Sequence, residues 1–188
     1  MKTLNIILLI FVFTALSCKA QHIIPVEKAV EYRNTEGGLL GDRDYVYVKD
    51  INNLLNKFVG IWKGNYNSKN YEFRIVKITA NRKEVKEDML LIRYKITNNS
   101  GVELVNTLNL VNSDKYIIRG DYLAKTGSYV LDYLGLKGEC GQNGTIFMSA
   151  NGNKMDLFLS VSGEIYPNCT TGEVSQILPT AGIELTKQ

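Results

Sequence analysis

Met89-Leu90-Leu91-Ile92-Arg93-Tyr94-Lys95-Ile96-Thr97 decides the fold class. Leu90, Ile92, Tyr94 and Ile96 fall on one side of an extended chain, and Arg93 and Lys95 on the other. Such alternation is the mark of a sheet with one buried face. Met155, Leu157, Leu159 and Val161 repeat the pattern further on, and Val102, Leu104, Leu108 and Leu110 do so with Asn106 between them. Strands are expected near 61–66, 71–79, 89–97, 102–110, 115–123, 128–134, 145–150, 155–161 and 182–187. A phase shift between Ile75 and Val76 predicts a bulge or a strong bend. The separators are turn-formers: Asn67-Ser68-Lys69-Asn70, Asn98-Asn99-Ser100-Gly101 and Asn151-Gly152-Asn153-Lys154. Many short strands joined by tight turns predict an all-β antiparallel meander. It closes as a β-barrel or, alternatively, folds as a β-sandwich.

Upstream, one helix is expected over Asp50–Phe58. Asp50 can cap it, and Ile51, Leu54, Leu55 and Phe58 at i, i+3, i+4 and i+7 form one apolar face. Gly60 stops it. Residues 19–47 read as a connector, polar and glycine-containing at Glu31–Gly38, with a short edge strand at Tyr45–Val48.

The first residues concern the compartment. Lys2 precedes an apolar run from Leu4 to Leu16, too short for a spanning helix and suited to a secretory signal. Ala15 and Ser17 lie just before Cys18, as a lipoprotein signal peptidase requires. The expectation is a signal over 1–17, a lipid anchor and tether over 18–44, and a single domain over 45–188. Lys19 is not acidic, so outer-membrane anchoring is expected. The alternative is cleavage after Ala20, giving a soluble periplasmic or secreted protein. Without Cys18 two cysteines remain, Cys140 and Cys169, an even number for an oxidising compartment. Their disulfide would close a loop of about 30 residues, worth roughly 3–4 kcal/mol in the chain-entropy view.

Of the 188 residues, 22 are basic and 19 acidic; without Lys2 the net charge is +2. That balance gives no footprint for nucleic acid. A single histidine, His22, leaves a Ser-His-Asp or Cys-His site hard to build, and two separated cysteines without histidine do not make a zinc site. No catalytic residue, metal site or cofactor is expected. Carboxylate pairs Glu139/Glu164 and Asp121/Asp132 are read as solvated surface, and Asp42-Arg43-Asp44 lacks the remaining positions of a calcium loop. Gly138-Glu139-Cys140-Gly141-Gln142-Asn143-Gly144 lacks the Lys-Ser/Thr of a phosphate loop and is read as a disulfide-pinned turn. The 11 tyrosines are the compositional excess. Trp62, Tyr71, Tyr94, Tyr116 and Tyr129 are the candidates to line a barrel and hold a small apolar ligand; the bland alternative is that tyrosine is a favoured strand residue.

Gly60-Ile61-Trp62, directly after the expected helix, resembles the Gly-x-Trp signature that opens the first barrel strand of lipocalin-like proteins. The resemblance implies that Trp62 closes the barrel base. The chain also resembles a flavobacterial family of exported proteins classed as a domain of unknown function. The matching segments include Tyr47-Val48-Lys49-Asp50-Ile51-Asn52-Asn53, Lys57-Phe58-Val59-Gly60-Ile61-Trp62-Lys63-Gly64, Gly144-Thr145-Ile146-Phe147 and Gln176-Ile177-Leu178-Pro179-Thr180. That likeness implies an envelope location and a β-rich fold, and no activity. Two roles follow as expectations: a binding module for a small apolar ligand or a protein partner, or an accessory envelope lipoprotein with a filled core.

Overall fold

The computed structural model describes residues 22–188. The expected signal segment and Cys18 lie outside the described residues. Eight strands close an antiparallel barrel: β3 (Gly60–Tyr66), β4 (Lys69–Arg82), β5 (Val85–Asn98), β7 (Ile118–Leu123), β8 (Tyr129–Leu134), β9 (Asn143–Asn151), β10 (Lys154–Val161) and β11 (Ile183–Lys187). Three more attach outside it: β1 (His22–Pro25), β2 (Val46–Lys49) and β6 (Glu103–Asn106). Around the wall the order is β5-β4-β3-β11-β10-β9-β8-β7 and back to β5. It is a barrel and not a sandwich.

β5 explains the arrangement. Leu90, Ile92, Tyr94 and Ile96 point into the lumen and are buried. On its outer face Met89 and Leu91 are covered by Ile117, with Ile78, Ala80 and Leu110 alongside. A strand buried on both faces has no alternation to keep, hence the unbroken Met89-Leu90-Leu91-Ile92. One edge of β5 pairs with β4 throughout. The other carries β2 (Val46↔Val85), β7 (Leu91↔Arg119) and β6 (Ile96↔Val105) in succession.

Four expectations are corrected. The connector at 19–47 is no tether from His22 onward. β1 pairs with β2 and β2 with β5, all parallel, and Ile24, Val26, Ala29, Val46 and Val48 join the main core. The helix at 50–58 is a series of turns with a 3₁₀ segment only at Asn56–Phe58. Asn53 sits at φ 55°, a left-handed geometry that an α-helix cannot pass through. Leu55 and Phe58 are buried there, whereas Ile51 and Leu54 are exposed. Asp50 still caps the turn, accepting the Leu54 and Leu55 amides at 2.7 and 3.2 Å. The strand at 102–110 shrinks to β6 with its faces inverted: Val105 and Thr107 are buried, Val102 and Leu104 exposed. Thr107 fixes that phase, its Oγ1 accepting the Tyr94 amide at 2.7 Å. Finally, β4 pairs without a break through Ile75 and Val76. Register shifts fall instead at Ile96/Thr97 against β6 and at Gly120/Tyr122 in β7.

Candidate functional site

The lumen is built from side chains at alternate positions of the eight strands. At one end the turn over 50–58 closes it. Trp62 lies fully inside and its indole Nε1 donates to the Phe58 carbonyl at 2.7 Å. Gly60 holds φ 137°, and a Cβ there would meet the Lys187 side chain at 2.8 Å. That backbone, more than the movable Lys187 chain, favours glycine at the entry to the strand. Tyr129 packs on Phe58 with ring centroids 5.9 Å apart, and its hydroxyl accepts the Leu90 amide at 3.2 Å. Gly120 makes that pose fit, since a Cβ there would sit 2.2 Å from the Tyr129 hydroxyl.

Toward the other end Tyr71, Phe73 and Tyr94 follow one another, each neighbouring pair 6.2 Å apart. Burial pushes the Tyr71 and Tyr94 phenols up to about 12, and raises Tyr129 and Tyr133 as well. All four are neutral at any physiological pH. The Tyr94 and Tyr133 hydroxyls are buried without a well-formed hydrogen bond. Over them runs a strap formed by residues 174–179. Tyr71 donates to the Ile177 carbonyl (3.1 Å), Gln142 Nε2 to Ser175 (2.8 Å), Gln176 Nε2 to Gly141 (2.7 Å) and the Leu159 amide to Pro179 (2.8 Å). Cys140 and Cys169 pin the base of this strap, bonded at 2.07 Å with Cα atoms 5.1 Å apart. That Cα separation suits a disulfide.

Four of the five proposed lining residues thus converge. Trp62, Tyr71, Tyr94 and Tyr129 meet in the barrel interior, packed against Leu131, Ile146, Met148, Leu157 and Leu159. They are buried core, and of the four Tyr71 also borders a cleft over β3–β5. Tyr116 is elsewhere. The strand expected at 115–123 begins only at Ile118, which leaves Tyr116 in the loop outside the barrel. There it lines a surface cleft with Lys115, Leu134, Glu139, Tyr166 and Asn168.

Two clefts lie on the outer wall. One of about 480 Å³ is edged by Arg82, Lys115, Arg119 and Asp132 over Ile117 and Leu134. Another, of about 260 Å³, runs over β3–β5 between Lys63, Asn65, Asn70, Glu72, Lys95 and Thr97. Asp121 is paired with Arg33, whose guanidinium also lies 4.3 Å from the Tyr122 ring. Burial and the Asp121 charge raise the Asp132 carboxyl. His22 is exposed at the start of an edge strand. No cluster of three metal-ligating side chains occurs among the described residues.

A model of a family of unknown function, DUF6705, matches residues 1–145. The chain belongs to DUF6705. The match to the DUF6705 model takes in the N-terminal apolar run, the outer strands and the wall through β8, together with Cys140; Cys169 lies beyond it. No curated protein and no solved structure matches the chain.

Reading the sequence missed one polar centre. Asp88 is buried and accepts hydrogen bonds from Thr79 (2.7 Å), Tyr47 (2.9 Å) and the Asp50 amide (3.0 Å), while Asp50 pairs with Lys77 at 3.0 Å. The signal was an aspartate set directly before the apolar run Met89–Ile92. This network fastens the 50–58 turn to the wall and is structural in its geometry.

Proposed function

We propose that the chain is a cell-envelope lipoprotein, anchored by acyl groups on Cys18 in the outer membrane, whose barrel is a rigid module that binds a protein partner on its outer wall. The filled interior carries this reading. Trp62, Phe73, Tyr94 and Tyr129 are each no more than 1 % exposed, so a small apolar ligand would have to displace the protein's own rings. Ligand pockets usually enclose ~300–1,000 Å³. Clefts of that order here are external and rimmed by lysine, arginine, asparagine and carboxylate groups, a chemistry suited to a polar protein surface. Catalysis, a cofactor and nucleic acid have no part in this reading.

The test is purification of the native protein from its envelope. Intact mass should give a chain beginning at Cys18 with acyl groups; an unlipidated start at Gln21 overturns the anchor. Lysine cross-linking in the envelope should join a protein partner through Lys63, Lys95 or Lys115. A stoichiometric apolar molecule released only on denaturation would overturn the filled-barrel reading. Neither adduct nor small molecule would favour the second reading, an accessory lipoprotein with a filled core.

A further inference from the structure

The described residues begin four positions after the cysteine that the proposed anchor modifies. Four Cα–Cα steps reach at most ~15 Å. An acylated Cys18 therefore holds His22 close to the lipid head groups, and that selects which side of the barrel lies near the bilayer.

His22 opens β1, level with Val46 of β2 and, one strand further, Val85 of β5. The surface around it has a distinct chemistry. Ile23 is 42 % exposed and neighbours Tyr47, which in turn neighbours Lys86. The Lys86 and Lys49 ammonium groups stand 4.6 and 5.8 Å from the Tyr47 ring. Directly after Lys49 the chain turns, leaving Ile51 at 51 % and Leu54 at 36 % exposure. Asn52 Nδ2 donates to Glu27 at 2.7 Å, tying that turn to the segment following β1. Asp50 and Asp88, the carboxylates beneath this surface, are buried and already engaged. Protruding aliphatics, a tyrosine and lysines whose charges stay outward are the side chains of a surface lying on a lipid interface. The exposed carboxylates nearby are Glu84 at the β4–β5 turn, set between Lys83 and Lys86 in sequence, and Asp42 and Asp44 on either side of Arg43 ahead of β2; Glu27 is half-buried and engaged by Asn52.

We infer that the face made by β1, β2 and the 50–58 turn docks on an anionic phospholipid surface beside the protein's own acyl anchor. This rests on the lipoprotein reading. It also leaves β10, four strands from β5 in either direction round the barrel, turned away from the bilayer.

The experiment uses the lipidated full chain in vesicles of phosphatidylethanolamine and phosphatidylglycerol, with doxyl-labelled lipid as quencher. Ile51→Trp reports the docking face and Phe158→Trp reports β10, where Phe158 is 41 % exposed. Each is read against the parent to remove the signal of Trp62. Ile51→Trp should lose most of its added emission, and recover it when phosphatidylglycerol is replaced by phosphatidylcholine. Phe158→Trp should be unquenched in both. Equal quenching at the two positions, or none at Ile51→Trp, overturns the orientation. Thermal midpoints matching the parent verify the fold, and Ile23→Trp replaces Ile51→Trp should the latter not fold. Intact mass separates the two claims. If the chain carries no acyl group, the anchor falls, and the docking face is then judged by sedimentation of the unlipidated protein with phosphatidylglycerol vesicles: co-sedimentation upholds it, and its absence overturns it.

Discussion

Trp62 does two things at one point of the barrel: it fills the base and hydrogen-bonds the Phe58 carbonyl. Trp62→Ala removes both, and chemical denaturation should show a loss of roughly 3–5 kcal/mol, as for other emptied core aromatic sites. Trp62→Phe keeps most of the ring and should lose only about 1 kcal/mol with the bond. Adjacent carboxylates on β5 respond oppositely to acid. Burial alone would raise Asp88, but the hydrogen bonds from Thr79, the Asp50 amide and Tyr47, with the Lys77 charge, outweigh it and leave the carboxyl below its ordinary value. Its contribution is therefore present above the unfolded pKa and lost as pH falls through the lower folded one. Glu87 is raised, chiefly by burial, against the pull of Arg82. Its ionised form opposes folding, so stability is gained as pH falls through its raised folded value toward the unfolded one, about 4.3. Denaturation midpoints from about pH 8 to 3 should rise and then fall. Glu87→Gln should flatten the rise and raise the neutral midpoint. Asp88→Asn should lower the neutral midpoint and remove part of the acid loss.

Among the elements, those with clear alternation were legible. β5, β8, β9 and β10 lie where the period places them, because each has one face in the lumen and local turns on either side. β2 was legible as the short strand expected at Tyr45–Val48, but β1 and the place of β2 between β1 and β5 were not, because four-residue strands pairing in parallel take partners far along the chain and leave no turn between them. The missing helix has the same kind of cause: its i, i+3, i+4, i+7 spacing is real, but the Asn53 backbone and the Asp50 carboxylate fold it as a turn. The strap at 174–179 also lacks any period, being held by side chains and by the Cys140–Cys169 pair. Reduction, or Cys140→Ser with Cys169→Ser, should lower stability by about 3–4 kcal/mol on the chain-entropy estimate. Hydrogen exchange should locate the change. The amides of Tyr166 and Val174, bonded to the carbonyls of Glu139 and Cys140, should exchange quickly, while the β4–β5 ladder stays protected.

For the whole molecule, tight turns between short strands were enough to indicate an antiparallel meander, with barrel and sandwich both open, and strand periodicity was enough to bring Trp62, Tyr71, Tyr94 and Tyr129 into one interior. Whether that interior is open depends on summed side-chain volume against wall circumference, which no pattern of apolar and polar residues reports. The two seams were equally hidden. β5 meets β7 through Leu91↔Arg119 and Ile92↔Ile118, and β3 meets β11 through Lys63↔Thr186 and Trp62↔Lys187. Deleting 183–188 should leave β3 and β10 each with an unpaired edge, and size-exclusion chromatography should then show association in place of a monomeric peak. The second seam also sets a timetable. β3 is among the earliest barrel strands to leave the ribosome, and β11 is the last. During synthesis, and during any passage through an export channel, the wall from β3 onward can pair hairpin by hairpin, but the edge of β3 has no neighbour until residues near Thr186 emerge. The closed form cannot exist before then. The same delay leaves β3 open to wrong strands throughout. Closure is then a single late event, performed by the Thr186↔Lys63 and Lys187↔Trp62 pairs.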